Sequence, residues 1–206
     1  MLGIDPGLSR CGYGVLEARR GGPRAAAIGV ITTPPSDPLP TRLAELQREL
    51  RGLIAEFRPH AVAVERVLFQ VNVRTAMSVG QASGIAMAEA AAAGCEVAQY
   101  SPNQVKDAVA GYGGADKLQV QRMVQTLLGL AALPEPPDAA DAAALALTHL
   151  ALAGPLTGRS AGGAARAGAP TGPSLALTGA ASRPVGRGRV KNAVGRPRPG
   201  TSEMEH

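Results

Sequence analysis

Four carboxylates in this chain stand where side chains from separate elements could meet: Asp5, Glu65, Asp138 and Asp141. Each alone has an ordinary explanation. Asp5-Pro6-Gly7 is a turn sequence. Glu65 follows four apolar residues and suits a strand end that reaches solvent. Asp138 and Asp141 lie one helical turn apart behind Pro136-Pro137, where an N-cap with an acid three residues on is common capping chemistry. Together they allow something else. If strands ending at Asp5 and Glu65 are neighbours, and a helix crosses their ends, the four acids converge. Two unit charges ~4 Å apart at an effective dielectric of ~20 repel by about 4 kcal/mol, so four ionised acids cost on the order of 20 kcal/mol as an upper bound. Such a cluster holds protons or hard cations. Oxygen donors without His or Cys suit Mg²⁺ or Mn²⁺ and not zinc. Two such ions ~4 Å apart clamp the attacking and leaving oxygens of a phosphodiester. His60, His149 and His206 are far apart in sequence, and no Ser or Cys sits in a nucleophile context.

The elements that must position these acids are readable. Leu2-Gly3-Ile4 is a short strand ended by the turn. Residues 12–18 and 25–32 read as two further strands joined by the loop Arg20-Gly21-Gly22-Pro23. Leu43, Leu46, Leu50, Leu53 and Phe57 form one apolar stripe, a helix that Thr41 is expected to cap. Ala61-Val62-Ala63-Val64 is a buried-type strand. A long helix follows over about 74–93, then a strand at 95–100. Ser101-Pro102 opens a helix with Ser as cap and Pro in first position. Further helices are expected over 116–130 and from Asp138 to about Leu152. The order β-β-β-α-β-α-β-α-α-α predicts an α/β fold with a mixed sheet flanked by helices.

Composition narrows the class. The chain has 206 residues, 45% of them hydrophobic, with two Phe, three Tyr and no Trp, so its core must be built from Val, Ile, Leu and Ala. Two cysteines cannot form a disulfide framework or a structural zinc site. There is no apolar run long enough to cross a membrane, and the amino terminus has no signal-peptide pattern. A soluble cytoplasmic protein is expected. Charge is unevenly distributed: residues 155–206 hold eight Arg or Lys and two Glu, a net +6, which leaves −1 for residues 1–154 of the overall +5. That last stretch has ten Gly and six Pro in 52 residues and is expected to be a disordered basic tail, either a solvated extension or an auxiliary, salt-sensitive phosphate grip. Residues 1–154 are expected to form the folded domain.

The segments Leu2-Gly3-Ile4-Asp5-Pro6-Gly7, Ala63-Val64-Glu65, Gly80-Gln81-Ala82-Ser83-Gly84, Gln104-Val105-Lys106 and Asp138-Ala139-Ala140-Asp141-Ala142 occur in the order and at the spacing of one family. Over about residues 1–153 the chain resembles the RuvC family, bacterial Holliday (crossover) junction endodeoxyribonucleases. The resemblance implies an RNase H-like fold with a mixed five-stranded sheet. It implies a homodimer that nicks two like-polarity strands of a four-way DNA junction symmetrically, leaving ligatable 5′-phosphate and 3′-hydroxyl ends. It further implies two Mg²⁺ per subunit during catalysis, with Mn²⁺ able to substitute, and cooperation with the branch-migration proteins RuvA and RuvB. Carried over by position, Asp5, Glu65, Asp138 and Asp141 match the metal-binding catalytic acids, and Lys106 and Lys117 match DNA-contacting lysines. Arg66 and Arg74 are further candidates for phosphate contact, as is Arg122, for which a solvated charge is the simpler reading.

The chain departs from the family in three places. The family often carries an aromatic wedge just after the strand glutamate; here Leu68 takes that position and Phe69 follows, so Phe69 is assigned the wedge, with simple loop packing as its alternative. The first strand has four residues before Asp5, shorter than usual, which predicts a start upstream of Met1. The tail has no counterpart in the family core. The small-residue segment 74–93 is expected to be a buried helix that also lines the dimer contact. Three other functions compete. Asp5-Pro6-Gly7-Leu8-Ser9 also fits the phosphate loop of sugar-kinase and actin-type ATPases, though 154 residues are too few for two lobes. An RNA-cleaving relative of the same fold and a non-enzymatic junction-binding module are the others.

Overall fold

The computed structural model describes residues 1–66, 73–153 and 191–192. Strands β1 (Leu2–Asp5), β2 (Arg10–Glu17) and β3 (Arg24–Thr32) form an antiparallel meander. Strands β4 (Ala61–Glu65) and β5 (Glu96–Tyr100) extend it on the other side of β1 by parallel pairing, giving the order β5-β4-β1-β2-β3. This is the mixed five-stranded sheet that the element order predicted, and its topology is that of an RNase H-like fold. One difference concerns the tail. Lys191–Asn192 pairs antiparallel with the outer edge of β3 as a short sixth strand, β6. A two-residue strand has no periodicity to read; it exists only because an edge strand offers unpaired backbone groups.

Strand alternation sorts the core into two layers. Leu2, Ile4, Val62 and Val64 face one side, where α1 (Leu39–Phe57) and α2 (Val73–Ala92) cover them with Leu46, Leu50, Leu53, Ala82 and Ala86. Ala63, Leu16, Ile28 and Val30 face the other side, against α3 (Pro102–Ala110), α4 (Lys117–Leu128) and α5 (Pro137–Leu152). Helix starts follow local chemistry. Ser101 caps α3 and Asp116 caps α4, each through a reciprocal capping box with the Gln three residues on. Thr41 does not cap α1, contrary to expectation: the helix begins at Leu39 behind Pro38, because Pro40 fits the first turn, where no backbone N–H is required.

The approach of α5 to the sheet decides where its acids stand. Small residues meet at this contact: Gly3 and Gly12 on the strands, an alanine-rich face on the helix. A Cβ on Gly12 would run into the carbonyl oxygen of Asp138, and one on Gly3 into that of Ala142. Backbone therefore lies directly on backbone, closer than any side chain would permit. Gly12→Ala should destabilise the protein by about 1–3 kcal/mol, the usual cost of overpacking. Because the clash falls on the turn that carries Asp138, the same variant should lose any activity that depends on that acid by more than its stability loss explains. Denaturant unfolding and activity assays at a temperature where the variant is folded separate the two. Among the described residues no helix is long and apolar enough to cross a membrane.

Candidate active site

Asp5 and Glu65 end two neighbouring parallel strands. The β1–β4 register pairs Gly3 with Ala63 and Ile4 with Val64, which puts the two acids at the next step, side by side. By alternation they project to the α5 side, as Gly3 and Ala63 do. Asp5 is also in register with Gly12 of β2, and Asp138 lies over Gly12. The contacts that seat α5 thus bring its first turn to the ends of β1 and β4.

A cavity of about 220 Å³ opens there. Asp5, Glu65 and Asp141 line it together with Lys106 of α3 and Lys117 of α4, over an apolar base that includes Val105, Val120 and Leu145. Asp138 is not in the lining. Its Oδ2 lies 3.3 Å from Nε of Arg10, at the start of β2. That pair lacks hydrogen-bond alignment, so Oδ2 is buried without a hydrogen-bond partner. Nor does Asp138 cap its helix: Pro136 occupies the N-cap position and no side chain bonds the first turn. The capping explanation for this acid is therefore excluded. Lys117 Nζ sits 2.7 Å from Asp141 Oδ2.

The four acids feel one another. Burial first, then the charges of Glu65, Asp141 and Asp138, push the Asp5 carboxyl up to about 7, against the opposing pull of Lys117. Glu65 is also raised, by burial and then by Asp141. The Lys117 ammonium is held above its usual range by its hydrogen bond to Asp141. All the donors here are carboxylate oxygens, and one of them is orphaned; that chemistry fits a hard divalent cation. As the side chains stand, no three of the acidic, His or Cys groups among the described residues are close enough to share one ion. Arg10 stands beside one acid of α5 and Lys117 beside the other.

The remaining sequence candidates fall elsewhere. Arg66 is exposed and outside the cavity, with its backbone N–H donating to the Tyr100 carbonyl at 2.8 Å. Arg122 is exposed on α4. Phe69 and the side chain of Arg74 lie outside the described residues. Arg10 was missed by sequence reasoning. Its signal was its place two residues before Gly12, which puts both on one face of β2.

The family model for the crossover junction endodeoxyribonuclease RuvC matches residues 1–149. The crossover junction endodeoxyribonuclease RuvC of Chloroflexus aurantiacus is 51% identical over 148 residues, covering 72% of this chain and 90% of that one. The protein of the same name from Salinispora arenicola is 54% identical over 151 residues, covering 73% and 86%. Among solved structures, Thermus thermophilus RuvC in complex with Holliday junction substrate superposes with a TM-score of 0.70 at 39% identity, covering 74% of this chain and 93% of that one.

Proposed function

The chain belongs to the RuvC family of crossover junction endodeoxyribonucleases, and from that membership we propose that Asp5, Glu65, Asp138 and Asp141 carry its chemistry. It is a metal-dependent hydrolase that resolves Holliday junctions. The observation that supports Asp5, Glu65 and Asp141 is the cavity in which strand-end acids, an acid of α5 and two lysines come together; Asp138 is included for its buried, unpartnered Oδ2 and its place in the family motif.

The four carboxylates would hold Mg²⁺, or Mn²⁺ in its place, two ions per subunit during catalysis. Bound there, such ions supply an activated water and stabilise the departing 3′ oxygen of a phosphodiester. The chain's own groups do the rest. Asp5 and Glu65 leave the ends of two paired strands, so the backbone holds the two acids side by side. Asp5 must release the proton that burial favours before it can ligate, so loading strengthens as pH rises toward 7. Lys106 and Lys117 stand on the α3/α4 wall, where a phosphate beside the acids would meet two ammonium groups. Val105, Val120 and Leu145 limit water beneath them.

A four-way junction has near two-fold symmetry, which two equivalent sites in a homodimer would match by nicking two like strands. Exposed Met77 on α2, at 61% of its surface, supports that helix as the dimer face. RuvA and RuvB as partners, and a cytoplasmic location, rest on family membership.

The test is a synthetic mobile four-way junction incubated with Mg²⁺ or with EDTA, reading cuts on all four strands. Paired symmetric nicks in Mg²⁺, none in EDTA and an intact linear duplex are expected; preferential cutting of RNA hairpins would overturn the reading. Lys106→Ala is expected to weaken junction binding severalfold and to reduce the slope of log K against log salt by about one, as loss of a single phosphate contact does. Fluorescence-anisotropy titrations at several salt concentrations measure it; an unchanged slope removes Lys106 from the interface.

A further inference from the structure

We propose that Arg10 is a positioning residue that competes with a divalent cation for Asp138 and thereby sets the metal concentration at which the site loads. The proposal rests on the reading of Asp138 as a metal ligand. Arg10 and Gly12 alternate to the same face of β2. Gly12 carries the backbone of Asp138 on that face, so the Arg10 side chain emerges beside the Asp138 carboxylate, Nε to Oδ2 at 3.3 Å. The contact is Coulombic and loose: Oδ2 has no aligned donor, and Arg10 is 59% exposed against 21% for Asp138. Among the described residues Arg10 has no other ion pair.

The distribution of bases around the acids gives this contact meaning. Both acids of α5 have a basic neighbour, Arg10 for Asp138 and Lys117 for Asp141. The strand acids Asp5 and Glu65 have no ion-pair partner among the described residues. Asp138 is also the only one of the four outside the cavity lining. A loose pair whose guanidinium is open to solvent adds little to folding stability. It does place one positive charge a few ångströms from where a second positive charge must arrive. The guanidinium therefore opposes loading twice, by occupying a ligand and by repelling the ion.

Removing that charge should tighten metal binding. Arg10→Gln in the full-length chain is expected to lower the Mn²⁺ concentration for half-saturation about three- to tenfold at low salt, read by isothermal titration calorimetry and by the metal-induced rise in Tm. The shift should shrink at high salt, since Arg10 is exposed. Arg10→Lys, which keeps the charge, should stay within about twofold of the parent. Asp138→Asn should weaken Mn²⁺ binding, and in that background Arg10→Gln should tighten it clearly less than in the parent, because only the direct repulsion is left to relieve. If Asp138→Asn binds Mn²⁺ like the parent, the ligand reading itself fails. If it binds more weakly but Arg10→Gln titrates like the parent or worse, the role of Arg10 alone is overturned. Tightening of undiminished size in the double variant shows that Arg10 does not act through Asp138.

Discussion

Glu65→Gln is expected to lower single-turnover cleavage of a four-way junction by at least ~10³-fold, which corresponds to about 4 kcal/mol of transition-state stabilisation. Asp5→Asn, Asp138→Asn and Asp141→Asn should behave alike. Each change keeps shape and removes a charge. Junction affinity should hold within about threefold or improve, because the acids repel phosphate while Lys106 and Lys117 attract it. The pattern of lost cleavage with retained binding distinguishes acids that hold catalytic metal from acids that merely build the fold. Any one variant with full activity removes that residue from the site. Loss of binding in parallel with loss of cleavage would point to misfolding, which the unfolding transition of the same sample reveals.

The second large effect is on stability and has a defined sign. In the folded protein without divalent ions the Asp5 carboxyl titrates near 7, whereas its ordinary value is 3.8. The folded state therefore binds more protons than the unfolded chain between those values. Stability from this group is fully present below about pH 4 and is lost as pH rises through 7. The distance between 3.8 and about 7 corresponds to roughly 4 kcal/mol. In EDTA at pH 8, Asp5→Asn should be more stable than the parent by up to that amount, about 10 °C in Tm for a chain of this size. The gain should vanish by pH 4. Saturating Mg²⁺ at pH 8 should raise the Tm of the parent and leave the variant nearly unmoved, because the cation replaces the proton that burial favours. A parent whose Tm in EDTA is flat from pH 4 to 8, and equal to that of the variant, would remove the electrostatic burden from Asp5.

Several features were legible in local sequence because their causes are short-range. The buried strands at 2–5 and 61–65 announced themselves as apolar runs. The stripe Leu43 to Phe57 carried the helical period. Ser101 and Asp116 each stood three residues before a Gln, which is the capping box itself. The four acids stood out because of their residue type and spacing, together with the family motifs around them.

What the tertiary structure decided depends on partners distant in sequence. Nothing within a few residues of Asp138 indicates that it leaves its helix uncapped and turns to Arg10, 128 positions away. Lys117 stood out as a residue for DNA; folding places it on Asp141 as well. Gly3 and Gly12 looked like ordinary strand glycines until α5 was laid on them. The two-residue β6 exists only against an open edge. Periodicity, caps and motifs are set by neighbours within a turn or two, so one dimension records them. Which base faces which acid is set by how closely two backbones approach, and that distance appears only when helix and sheet are packed.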